Sequence, residues 1–166
     1  MSRKFMILLP ILLIGVALDQ VTKHLVMQNM PLGSQIPVIK DFFNLVHVHN
    51  RGSAFGLFSS FSLEFARIFF ICTTGLVLVV VGYLWRLLPE ESVMPATGYS
   101  MILAGALGNL VDRVRFGEVV DFLDFYWGRY HWPAFNVADM LVCLGAGLLA
   151  WVILREEKGA DVSSTA

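Results

Sequence analysis

The sequence predicts an all-α membrane protein, a bundle of four transmembrane helices with a small extramembrane β-sheet. Three observations carry this reading. Hydrophobic residues make up 57% of the chain and charged residues only 15%, against roughly 25% charged in soluble domains. Four long stretches are free, or nearly free, of Asp, Glu, Lys and Arg, as crossing hydrocarbon requires. Residues 27–67, between the first two, are too polar and broken to span, yet residues 42–50 alternate as a strand lying on a membrane surface does.

The first stretch, residues 5–18, holds 14 uncharged residues; at 1.5 Å per residue that is only about 21 Å of the roughly 30 Å needed. The helix must therefore continue through Asp19 to residue 26, a span of residues 5–26, drawing a carboxylate to membrane depth. Arg3 and Lys4 ahead of an apolar run, with Gly15-Val16-Ala17 as a small-x-small site, would also suit a cleaved signal peptide. The cluster Asp19, Thr22 and Lys23 just beyond it favours a retained helix. The second span, residues 67–86, contains 18 uncharged residues between Arg67 and Arg86, and the third, residues 93–112, lies in an uncharged run of 20 from Ser92 to Val111. The fourth has 15 uncharged residues, 140–154, and gains length by starting near Pro133 and taking in Asp139, for a span of residues 134–154 and a polar tail over 155–166. No linker or repeat divides the chain, so residues 1–166 read as one integral membrane domain.

Twelve Lys and Arg against 13 Asp and Glu leave a net charge of -1, which offers no basic field for a nucleic-acid backbone. Cys72 and Cys143 each sit in a long apolar run, form no CxxC pair and read as small core residues. His47 and His49 share one strand face but lack an evident third ligand, so no metal centre is expected. No GxSxG, SxxK, Cys-His or HExxH grouping is present, so neither covalent nor zinc peptidase chemistry has residues to use, and no cofactor is expected.

In a four-span chain, helices one and three end where helices two and four begin. That side collects the unusual polar residues: Asp19 and Lys23, Asn50 and Arg51, Asn109, Asp112 and Arg113, Asp121 and Asp124, Asn136 and Asp139. The other side holds Arg3, Lys4 and the turn from Arg86 to Glu91, which read as ordinary solvated anchors. Lys and Arg number five on the terminal side and seven on the other, so charge counting leaves the orientation open.

Ser100, Ala104 and Gly108 form a small-xxx-small stripe on helix three that permits close helix approach and continues to Asp112. Asn109 and Arg113, four apart, face one pocket at the end of that helix. In the extended segment after Gly117, Asp121 and Asp124 point opposite ways. Asn136 suits the N-cap of helix four, and Asp139 follows three residues on, near the positive end of the helix dipole. A capped helix start accounts for both, but an ionisable residue within a membrane span is a functional-site candidate by default. Asp121 precedes Asp139 by 18 residues and lies at the same interface. Two carboxylates sharing a site and one proton can activate water as base and protonate a substrate as acid, the aspartic peptidase device. On spacing alone, Asp112 and Asp124 compete for a place in such a pair.

Five motifs in register resemble the lipoprotein signal peptidase (signal peptidase II) family over nearly the whole chain. They are Asp19-Gln20-Val21-Thr22-Lys23, Asn50-Arg51-Gly52-Ser53-Ala54-Phe55-Gly56, Gly108-Asn109-Leu110-Val111-Asp112-Arg113, Val119-Val120-Asp121-Phe122 and Phe135-Asn136-Val137-Ala138-Asp139. Ser53 stands where that family usually has Ala. The resemblance implies an aspartic endopeptidase that removes the signal peptide of diacylglyceryl-modified prolipoproteins, cutting before the lipidated cysteine. It implies a catalytic pair at Asp121 and Asp139, pocket positions at Asn50, Asn109, Arg113 and Asn136, and a supporting pair at Asp19 and Lys23. It further implies multi-pass residence in the bacterial plasma membrane, termini cytoplasmic, with the site and the sheet, as a cradle, on the outer face. Prolipoproteins and membrane lipids are the expected partners, and a monomer the expected state. The competing class is a small carrier or channel using the same carboxylates to relay protons or bind cations. Polar residues gathered at one end, with apolar middles in the second and fourth spans, argue against it, as they do not against a non-catalytic scaffold.

Overall fold

A computed structural model of the protein describes residues 2–52 and 62–164; the part of the second motif from Ser53 to Gly56 lies outside them. The elements follow in the order α1 (Arg3–Asn29), β1 (Gln35–Ile39), β2 (Phe43–Asn50), α2 (Leu63–Leu87), α3 (Val93–Phe116), β3 (Val119–Trp127), β4 (Tyr130–His131) and α4 (Val137–Ser164). α4 thus carries the helix on into the polar segment after Arg155.

Three of the helices, α1, α2 and α4, are long and apolar enough to cross a membrane. Their large apolar side chains point outward, Val79 with 70% of its surface exposed, as a hydrocarbon solvent requires. The chain is therefore a mostly helical, multi-pass membrane protein. α3 is not among the three, because it is built differently. It packs against α1, α2 and α4 and buries Ala96, Gly98, Ser100, Ala104, Gly105, Ala106 and Gly108, with Asn109 and Asp112 at its end. Small residues surrender apolar bulk and gain close approach: a Cβ on Gly145 of α4 would lie 2.5 Å from the Gly98 carbonyl oxygen.

Two readings need correction. Cys72 and Cys143 are exposed, not core residues; in a membrane bundle the apolar face is the outer one, so an apolar run does not signal burial. Lys4 is buried rather than solvated. Its ammonium donates to the carbonyls of Arg86 and Leu88, each at 2.9 Å, and lies 5.2 Å from the centre of the Trp85 ring. A cation there satisfies carbonyls that the end of α2 leaves without helical partners and ties the start of α1 to it.

At the opposite end of the bundle the strands form an antiparallel sheet in the order β1-β2-β3-β4. Gly117 closes α3 at φ 82°, a left-handed conformation that favours glycine, and turns the chain into β3. β3 pairs with β2 through Asn44↔Asp124, Val48↔Asp121 and Asn50↔Val119. Val26, Met30 and Phe122, with Leu45, Leu123 and Val137 against them, form a small core where α1, the sheet and α4 meet.

Candidate active site

Two layers of polar side chains fill the sheet end of the bundle. The inner layer begins with Lys23, which is four residues after Asp19 and so shares its helix face. Its ammonium sits 2.8 Å from Asp19 Oδ2, 2.7 Å from Asp112 Oδ2 and 3.1 Å from Asn109 Oδ1, which uses all three donors. None of the three charged residues exposes more than 1% of its surface. Such burial is tolerable only with every lone pair answered. Asp19 Oδ1 also accepts the backbone N–H of Ala138 at 2.9 Å, Asp112 Oδ2 that of Val120 at 3.2 Å, and Gln20 donates to Asp112 Oδ1 at 2.8 Å. One cation thus joins α1 to α3, while the two carboxylates hold the first turn of α4 and the start of β3.

Gly108 makes this approach possible. A Cβ there would lie 2.6 Å from Asp19 Oδ2 and 3.2 Å from the Ala138 Cβ. Gly108→Ala is therefore expected to cost about 1–3 kcal/mol of stability through overpacking, read as a lower thermal unfolding midpoint in detergent.

The outer layer contains Asp121 and Asp139. Asn136 caps α4: its Oδ1 accepts the Asp139 N–H at 2.9 Å while Asp139 Oδ2 accepts the Asn136 N–H at 3.2 Å, the reciprocal pattern of a capping box. The same Asn136 side chain donates to Asp121 Oδ1 at 2.7 Å. Asn50 donates to Asp121 Oδ2 at 2.9 Å, and Asn109 to Asp139 Oδ1 at 2.8 Å. The three amides cannot be flipped without loss, because each oxygen already accepts from an unambiguous donor: the N–H of Asp139 for Asn136, the N–H of Gly52 for Asn50, and the Lys23 ammonium for Asn109. Each of the four carboxylate oxygens therefore faces an N–H donor. A proton on either carboxyl finds no acceptor in these four contacts.

Asp121 is 1% exposed. Burial pushes its carboxyl up to about 7; the amides of Asn50 and Asn136 and the charge of Lys23 pull it down, and the Asp139 charge pushes it up. Asp139 is only partly buried and offers the more accessible oxygen to water. Arg113 donates to the Asn109 carbonyl at 3.3 Å, lies over the Phe70 ring at 5.4 Å and feels the charges of Asp139, Asp112 and Asp121.

All eight residues singled out from the sequence, Asp121, Asp139, Asn50, Asn109, Arg113, Asn136, Asp19 and Lys23, thus belong to one connected network. The rival carboxylates are committed elsewhere: Asp112 to Lys23, and Asp124 to Asn44 at 2.8 Å and His131 at 2.9 Å. Asp112 and Gln20 are parts of the inner layer that spacing alone did not assign, although the small-residue stripe running to Asp112 marked that face. Among the described residues no three His, Cys, Asp or Glu side chains gather as metal ligands. His47 and His49 instead bond to the Met30 carbonyl and to Glu118.

Comparison with known proteins gives the family. Residues 11–155 match the family model described as signal peptidase (SPase) II. The chain belongs to the signal peptidase II family. Among the family's curated members, the lipoprotein signal peptidase of Syntrophotalea carbinolica is 47% identical over 146 residues, covering 88% of this chain and 89% of its own length. That of Nitratidesulfovibrio vulgaris is 44% identical over 161 residues, covering 97% and 96%. A solved structure described as a bacterial membrane enzyme, determined by the in meso method at 2.3 Å resolution, is similar with a TM-score of 0.79 at 33% identity, over 90% of this chain and 88% of that one. This family member is accordingly a peptidase of the aspartic class.

Proposed function

We propose that this peptidase removes the signal peptide from diacylglyceryl-modified prolipoproteins, cutting before the lipidated cysteine, with Asp121 and Asp139 as the catalytic pair. The observation that carries the reading is the bridge of Asn136 between two carboxylates whose oxygens all face donors. That arrangement holds the two acids at fixed orientation and leaves them without a protein acceptor for their proton among these contacts. In this reading Asp121, the more buried, holds the proton at the outset, and ionised Asp139 takes a proton from a water molecule. The resulting hydroxide attacks the scissile carbonyl while Asp121 protonates the developing oxyanion. Collapse breaks the C–N bond as ionised Asp121 takes back a hydroxyl proton of the tetrahedral intermediate and Asp139 gives its proton to the departing amine of the lipidated cysteine, so the signal peptide leaves with a new carboxyl group and both acids return to their starting states.

Access from the bilayer suits the substrate. A groove of about 200 Å³ between α2 and α3 is lined by Thr73, Thr74, Val77 and Ala106 and ends at Asn109 and Arg113. A signal helix and its acyl chains can stay in hydrocarbon along this groove while the peptide bond reaches the polar end, where Arg113 would steady the substrate backbone. The reading takes α3 as a fourth crossing. It places the sheet on the outer face of the bacterial inner membrane and both termini in the cytoplasm, with the protein acting as a monomer.

Purified protein incubated with an authentic diacylglyceryl prolipoprotein should release the signal peptide on a gel, and the unlipidated precursor should stay intact. Failure on the lipidated substrate would overturn the assignment. The pH profile gives a second check. Asp121 is raised to about 7, so it keeps its proton below that pH and loses it above. kcat/KM should therefore fall as pH rises through about 7, where Asp121 loses the proton it is to donate.

A further inference from the structure

Asn50 is tied to Asp121 from the far end of β2, and its neighbours in sequence are held in an unusual way. His49 Nδ1 lies 3.0 Å from Glu118 Oε2 and Arg51 Nε donates to Glu118 Oε1 at 2.6 Å, so one carboxylate grips the residues on both sides of Asn50 with separate oxygens. Strand alternation explains the pattern. His49 and, just past the end of β2, Arg51 take one side of the chain while Asn50 takes the other, and the register Asn50↔Val119 and His49↔Val120 puts Glu118 beside the outer pair and Asp121 on the face of Asn50. Asn50 Nδ2 then reaches Asp121 diagonally, two residues from its direct partner Val119.

The turn beyond is equally constrained. Gly52 stands at φ 86°, a left-handed conformation that favours glycine, and its N–H holds Asn50 Oδ1 at 2.8 Å. A Cβ on Gly52 would overlap the ring of Phe70. Glu118 itself springs from the turn set by Gly117, so its position is fixed by the end of α3 rather than by β2. The carboxylate is 20% exposed against 61% for Arg51, which leaves it less screened than a free surface ion pair.

We infer that Glu118 is a positioning residue for the reaction: by clamping His49 and Arg51 it fixes the Asn50 turn and so keeps the Asn50 amide on Asp121. This rests on the catalytic reading of Asp121. Glu118 lies on the face of the sheet opposite the Asn50–Asp121 contact. Its influence runs through one hydrogen bond, which favours the ionised form of Asp121. Loosening that bond should misorient the carboxyl and raise the pH at which it gives up its proton. The other charges facing Asp121 are Lys23 from α1, Arg113 from α3 and Asp139 from α4, and a change at Glu118 leaves them in place.

The test is a set of pH–rate profiles on the lipidated substrate for wild type, Glu118→Ala, Asn50→Ala, the double variant and Asp121→Asn, with unfolding midpoints recorded for each. Glu118→Ala should lower kcat about 3- to 10-fold and move the alkaline limb up by about half to one pH unit, the scale of one weakened hydrogen bond to a carboxylate. Asn50→Ala should move the limb the same way, and adding Glu118→Ala to it should change little more. Additive effects, or a limb unmoved by Glu118→Ala, would reduce Glu118 to a structural clamp and overturn the inference. If the alanine variant does not fold, Glu118→Gln, which keeps the size and one acceptor, should shift the limb in the same direction by less. If Asn50→Ala cuts too slowly to profile, infrared titration of the aspartate carboxyls in the two single variants and wild type replaces the cycle; an Asp121 titration unchanged in Glu118→Ala overturns the inference just as firmly. Cleavage that survives Asp121→Asn would instead remove the catalytic reading itself, whatever Glu118 does.

Discussion

Asp121→Asn and Asp139→Asn are each expected to lower kcat for prolipoprotein cleavage by about 10³-fold or more while leaving KM within a few-fold. The size follows from the proposed mechanism, in which each carboxyl acts as general acid or base in both the addition and the collapse, a role that supplies roughly 10²–10⁴ in rate. An amide has the shape of the carboxyl but can neither take a proton from water nor give one to an oxyanion. Asparagine is also not neutral to the local bonds. Every oxygen of the pair accepts from an N–H, so an amide nitrogen meets a donor on one side and weakens the contact with Asn50 or Asn136 at position 121, and with Asn109 or the α4 cap at position 139. Unfolding midpoints must therefore be measured beside the rates, and a loss of rate far larger than the loss of stability is the expected signature. Asp124→Asn should retain most of its activity, because that carboxylate is committed to Asn44 and His131. Activity surviving in both Asp121→Asn and Asp139→Asn would end the paired-acid mechanism.

How much of this was legible in the sequence differs by layer, for physical reasons. The pairing of Asp121 with Asp139 could be approached because helix parity alone puts both at one end, and Asn136 with Asp139 carried the spacing of a helix cap. Residues 42–50 alternate and the run after the Gly117 stop reads as extended, which reveals β2 and β3. β1 and β4 were not separately identified: β1 is exposed at all five positions and contains Pro37, and β4 has two residues. Asp112 was seen as a rival acid rather than as a partner of Lys23, since that contact depends on how α1 is rotated against α3, which no single-chain periodicity encodes. Lys4 and the cysteines were misread for one reason. Rules that equate polarity with solvent and apolar runs with the interior invert when the surrounding solvent is hydrocarbon. α3 lay between these cases: an uncharged run of 20 residues suggested a span, while its small residues, which make it the helix the others pack on, also lower its hydropathy.

Lys23→Met is expected to be the most damaging change outside the proposed catalytic pair, costing about 3–5 kcal/mol and leaving little folded protein to purify. The reason is the uncompensated charge it leaves. Asp19 and Asp112 are both at most 1% exposed and share this one cation at 2.8 and 2.7 Å; without it, two carboxylates would be buried side by side. A variant that removes all three charges together, Asp19→Asn with Lys23→Met and Asp112→Asn, should therefore be more stable than Lys23→Met alone, since replacing a whole buried ion cluster is far less costly than breaking it. Its activity should nevertheless stay low. Lys23 also holds Asn109 Oδ1 at 3.1 Å, the contact that keeps the Asn109 amide donating to Asp139. With no ammonium there, that oxygen keeps only the Asn136 amide at 3.2 Å, and the orientation of Asn109 is less firmly set. Recovery of the unfolding midpoint without recovery of kcat would separate the two duties of Lys23, holding the bundle and orienting the acid. Recovery of both would mean that Asn109 needs no such anchor.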